Sequence, residues 1–124
     1  MPVISGADAP TFALPHVTAT GLAAPSRGAT ETCAWRFAIA PGMPADSHAV
    51  DREEIFVVLS GSLTAIIEGE EHALSAGDAL IVPAHTPFGI GNPHDEPAEL
   101  VAVLPVGGRA IMPGMAPFTP PWAE

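Results

Sequence analysis

The chain has 124 residues, enough for one β-sandwich or small barrel with a real core and too few for two ordinary domains. Hydrophobic residues make up 48% and charged ones 15%, and although Gly (12) and Pro (15) are numerous, the regular apolar runs between them exclude a disordered chain. Four basic side chains, all arginine, face 14 acidic ones for a formal charge of −10, which argues against nucleic acid and anionic membranes as partners.

Met1 to Asp8 lacks both the basic region and the apolar core of a signal peptide, and no stretch approaches the length of a membrane span, so a cytoplasmic location is expected. Residues 1–28 mix Ala, Pro, Gly and Thr around a short extended candidate at Phe12–Val17 and close on a turn at Pro25-Ser26-Arg27-Gly28, which predicts an N-terminal arm. Between Ala29 and Ala40 the bulky residues Cys33, Trp35, Phe37 and Ile39 alternate with smaller or polar ones, the period of a half-buried strand. Cys33 is the only cysteine, which excludes an internal disulfide and predicts a buried thiol. Glu54–Ser60 and Leu63–Ile67 flank Gly61 as a predicted hairpin, Glu68 to Glu71 makes a turn, and His72–Ser75 and Ala79–Val82 follow as short strands around Gly77-Asp78. Phe88–Ile90 and Glu99–Val106 supply the last pair. No window has a helical period, and strands recurring at this spacing predict an all-β barrel or sandwich over 29–106. Residues 107–124 are proline-rich and are expected to run extended along the surface.

Two segments resemble the motifs of the cupins. In the first, Gly42, His48, Glu54 and Gly61 fall in register with the Gly, His-x-His, Glu and Gly of that family, with Val50 in place of the second His. In the second, Gly77, Pro83 and Asn92 match, His85 replaces an inner Gly and Phe88 replaces the late His. The resemblance implies a single cupin-type β-barrel, a jelly-roll with extended N- and C-terminal arms. It also implies a site in which two His, a Glu and a late His hold one divalent metal, the imidazole and carboxylate set that suits zinc, iron, manganese or nickel. Only His48 and Glu54 of those four remain, so no tightly bound cofactor is expected. If a metal is bound, His85 is the residue that would complete a set with His48 and Glu54.

The site is therefore expected around His48 and Glu54, with Val50, Phe56, Val58, His85 and Phe88 lining a pocket. Phe56 and Val58 share the inward parity of Glu54, whereas Val50 and Phe88 are either filler or apolar wall. Glu53 has the opposite parity and should be solvated. His85 also has a plain reading, as a residue tolerating the positive φ of a turn. Glu68, Glu70 and Glu71 read as a solvated hairpin tip, His16, His72 and His94 merit no site, and Cys33 and Trp35 read as core. Three functions follow in order: a small-molecule enzyme using His48 and Glu54 as acid and base in an isomerisation, cyclisation or dehydration, a non-catalytic binding or sensor module, and a metal-dependent dioxygenase. The resemblance also implies a homodimer, with Ile55, Val57 and Leu59 offering apolar side chains on the outer face.

Overall fold

Bulky apolar side chains at every second position can be buried together only if the backbone is extended, because a strand sends successive side chains to opposite faces. The computed structural model, which describes residues 1–124, is built on that rule. Its strands in chain order are β1 (Thr11–Leu14), β2 (Val17–Ala23), β3 (Thr32–Ile39), β4 (Ala49–Val50), β5 (Glu54–Ser60), β6 (Ser62–Ile67), β7 (Glu70–Ser75), β8 (Ala79–Val82), β9 (Phe88–Gly91), β10 (Ala98–Pro105) and β11 (Ala110–Ile111). There is no α-helix.

The strands form an antiparallel jelly-roll. One sheet has six strands in the order β1-β2-β3-β10-β5-β8, another three in the order β7-β6-β9, and β4 pairs with β11. A one-residue bridge between His48 and Phe88, with N–H···O bonds of 2.9 and 2.8 Å in the two directions, ties the approach to β4 onto the start of β9. Central strand β10 buries Ala98, Leu100, Ala102 and Leu104 and leaves the alternate positions partly exposed. These side chains join Trp35 and Val58 from the large sheet and Leu63, Ala65 and Ile90 from the small one in a single core. Fully burying one such leucine is worth about 1.5–3 kcal/mol.

Several expectations need correction. The segments either side of Gly61 do not pair with each other: β5 bonds to β10 and β8, and β6 to β7 and β9. Gly61 is thus a corner where the chain changes sheets, at φ 76°, and a Cβ there would fall 2.7 Å from the Pro97 carbonyl oxygen. The N-terminal segment is more than an arm, since β1 and β2 extend the large sheet, turning at Pro15-His16 where one continuous extended stretch was expected. Glu68 and Gly69, both at positive φ, form the next turn, and Glu70 and Glu71 already belong to β7. The C-terminal segment does not simply lie along the surface. It contributes β11, a bridge between Ala110 and Phe118, and a last turn at Pro121–Ala123 that buries Ala123.

Candidate functional site

A cavity of about 790 Å³ opens between the sheets. Every Phe and Trp of the chain except Phe12 lines it, together with Leu100 and Leu104 from β10 and Val50 from β4. The polar side chains in its lining are His16, Asp46, His48 and Glu54. Inward parity on β5 delivers Glu54 and Phe56 to the cavity, and β9 delivers Phe88 and Ile90. His48 is placed by backbone approach. The segment that leads to it runs so close over β9 that a Cβ at Gly89 would lie 2.5 Å from the Ala45 carbonyl oxygen, and only glycine permits that contact.

Glu54 is 5% exposed and has no hydrogen-bond partner within the protein. Removing a carboxylate from water without compensation favours its neutral form, and burial pushes the Glu54 pKa up to about 8. His48 shifts the opposite way: burial lowers its pKa, against a smaller upward pull from the Asp46 carbonyl and carboxylate. Its Nδ1 lies 3.2 Å from the Asp46 carbonyl oxygen. A carbonyl can only accept, so Nδ1 carries the proton and Nε2 keeps its lone pair. Near neutral pH the cavity therefore holds an uncharged imidazole with one basic nitrogen and an uncharged carboxylic acid. No hydrogen bond joins the two side chains. Phe88, 1% exposed, packs its ring 4.4 Å from the His48 ring and 5.6 Å from that of Phe56.

Five of the seven expected site residues meet here: His48, Glu54, Val50, Phe56 and Phe88 all line the cavity. Val50 and Phe88 are walls of an open space, not filler that has closed it. Val58 and His85 must be withdrawn. Val58 is 2% exposed but lies in the core outside the lining, one step too far along β5. His85 is exposed at φ 62° on the turn after β8, held by its backbone N–H to the Val50 carbonyl, so its ring takes no part in the lining and the plain reading of it holds. Glu53 is exposed and Cys33 is buried as expected, and burial pushes the Cys33 thiol up, away from nucleophilic behaviour. The sequence reading missed His16, Trp35 and Trp122. His16 joins the lining from the β1–β2 turn at φ 67°, Trp35 is both core and wall, and Trp122 arrives from the C-terminal segment.

The donor set does not fit a tightly held metal. No three His, Cys, Asp or Glu side chains come close enough together to hold an ion, and His85, exposed on the turn after β8, is not among the residues that line the cavity. Valine and phenylalanine stand at the two positions where imidazoles would be needed, leaving two ligands where catalytic zinc ordinarily has three.

A family model described as Cupin domain matches residues 35–104. Similar solved structures include the polyketide cyclase RemF from Streptomyces resistomycificus, with 18% identity, a TM-score of 0.80, and coverage of 94% of this chain and 87% of that one. KdgF from Halomonas sp. aligns with 20% identity and a TM-score of 0.72 over 84% of this chain and 94% of that one. A cupin-superfamily sugar phosphate isomerase from Silicibacter pomeroyi aligns with 16% identity and a TM-score of 0.70 over 92% and 83%. At these identities the likeness is one of fold. No curated protein matches the chain by sequence.

Proposed function

The chain belongs to the cupin family, and we propose that it catalyses proton transfer on a small, largely apolar molecule held between its sheets, as an isomerase, cyclase or dehydratase. The observation that carries this reading is the pair of opposite protonation preferences in one apolar cavity: a neutral His48 with a free Nε2 and a Glu54 that keeps its proton. Titratable groups whose surroundings push their pKa values apart divide naturally into base and acid.

His48 Nε2 takes a proton from a carbon adjacent to a carbonyl, and Glu54 donates its own to the oxygen on which charge develops. In a dehydration the donated proton leaves with hydroxide as water; in an isomerisation or cyclisation it stays on the product. His48 then carries the extra proton and Glu54 is ionised, and exchange with solvent resets both. Such positioned groups supply roughly 10²- to 10⁴-fold. The aromatic walls favour a flat, apolar substrate, a preference to which the fold likeness to a polyketide cyclase lends support. The metal-dependent reading has the donor set against it.

The test is turnover by the full chain of a ligand found through thermal-shift screening. His48→Ala should keep the melting temperature within a few degrees and abolish turnover. A ligand recovered unchanged after long incubation with the unaltered protein would favour the binding-module alternative, and equal loss of stability and activity in His48→Ala would return His48 to the core.

A further inference from the structure

We infer that the C-terminal segment is a movable wall of this pocket, in which Trp122 meets the ligand and limits its size while Arg27 is the latch that holds the wall shut. The inference rests on the pocket reading above and goes beyond it. Residues 109–124 leave β10, pair with β4 at Ala110–Ile111, turn at Met112–Met115 and return past Phe118 to bring Trp122 into the lining. The near end is anchored by a charged pair, Asp51 accepting from the Arg109 backbone N–H at 2.6 Å and from its Nε at 3.1 Å.

The far end is held differently. Its side-chain tethers all come from the barrel and all end on main-chain carbonyls: Arg27 Nη2 donates to Trp122 O at 3.1 Å, Ser26 Oγ to Glu124 O at 2.5 Å and Cys33 Sγ to Ala123 O at 3.5 Å. Arg27 Nε also donates to Leu22 O at 3.0 Å, so a single guanidinium ties β2 to the tail. Gly21 leaves room for it, since a Cβ there would lie 2.6 Å from Arg27 Nη2.

The Trp122 side chain itself is held by packing alone. Its ring stands edge-on to Phe37 at 5.4 Å and to Phe12 at 6.2 Å, and lies 6.3 Å from Trp35. Its Nε1 is buried without an acceptor, as is that of Trp35. A buried donor with no partner is unfavourable relative to one that water can reach, so the closed seat of Trp122 carries a penalty that displacement of the tail relieves. Latch bonds and ring packing oppose that penalty, so displacing the tail costs less than its bonds and packing alone would require.

The experiment uses the full chain and N-phenyl-1-naphthylamine, a neutral apolar fluorophore, mixed by stopped flow. Arg27→Gln should speed association and dissociation together by about five-fold with affinity held within about two-fold, because a latch governs access without touching the ligand. Trp122→Ala should weaken binding about ten-fold, and Trp122→Phe should restore it to within about three-fold, the size of effect expected of one aromatic wall. Ser26→Ala, which removes a neighbouring tether, should speed the exchange in the same sense and serves if Arg27→Gln does not fold. Unchanged rates in the latch variants, or unchanged affinity in Trp122→Ala, would overturn the inference. Phe56→Trp and Ile90→Trp, which fill the cavity from β5 and β9 at walls away from the tail, should each weaken probe binding about ten-fold. Binding unaffected by both would place the probe outside the cavity and remove the pocket reading itself, and the movable wall with it.

Discussion

Replacing Glu54 by glutamine separates the proton on this side chain from its shape. In the unfolded chain Glu54 ionises near its ordinary 4.5, whereas in the folded protein it keeps its proton to about 8. Between those values the folded state binds more protons than the unfolded one, so stability from this site is fully present below pH 4.5 and is lost as pH rises through 8. At about 1.36 kcal/mol for each pH unit, the loss across the window approaches roughly 5 kcal/mol, a large share of the stability of a domain this size. Glutamine has the same volume and no proton to lose. Glu54→Gln should therefore resemble the unaltered protein at pH 4.5 and exceed it by roughly 2–5 kcal/mol at pH 8.5, the lower figure applying where water enters the cavity to solvate the ionised form.

Urea unfolding of both proteins from pH 4.5 to 9 measures this directly. His48, whose folded pKa is lowered, has the opposite sign: its contribution is fully present above 6.5 and declines as pH falls through the folded value. That contribution is common to both proteins and cancels in their difference, as do those of the exposed carboxylates. A stability difference that stays constant over the whole range would mean that Glu54 ionises normally, and Glu54 would then be unable to serve as the acid.

Two further outcomes follow from the same geometry. Val50→His combined with Phe88→His should create a divalent metal site of micromolar affinity or better, because both positions line the cavity that already holds His48 and Glu54, and two added ligands contribute roughly 5–8 kcal/mol; elemental analysis after dialysis checks it, and stoichiometric metal in the unaltered protein would refute the two-ligand account. The outer face of β5 and β8 presents partly exposed Ile55 and Val57 beside Leu59 (47% exposed) and Ile81 (61%), and we propose that it pairs with a second copy of the chain. Light scattering should report a dimer at micromolar concentration, and charged substitutions at Leu59 and Ile81 should yield monomer; a monomer before substitution would refute the pairing.

What could be read from the residues divides along a physical line. Strands β3, β5, β8 and β10 were legible because period-two alternation or a continuous apolar run is a local signal that burial enforces wherever the strand lies. The sheet change at Gly61 was not, since a glycine between two apolar runs has the same local appearance whether the runs pair with each other or with strands far along the chain, as β5 does with β10 and β6 with β9. Likewise β2 is built from Val-Thr-Ala-Thr-Gly-Leu-Ala, whose small side chains carry almost no periodicity, and it is fixed by pairing with β3. Proline content in the tail foretold an extended backbone but not its path, which depends on Arg27 and Ser26, some ninety residues earlier, finding carbonyls on Trp122 and Glu124.

Within the site, His48 and Glu54 were legible because parity and motif spacing both act on side-chain identity. The feature that makes His48 a base was not. Its tautomer is set by the carbonyl oxygen of Asp46, and any residue at position 46 offers that same atom. The choice between acid and base here is therefore made by a stretch of backbone that only the close approach of the Met43–His48 segment to Gly89 and Gly91 brings into position. Adding a methyl group at Gly89 would push that segment away from β9 and move His48 with it, without altering any group that takes part in the chemistry.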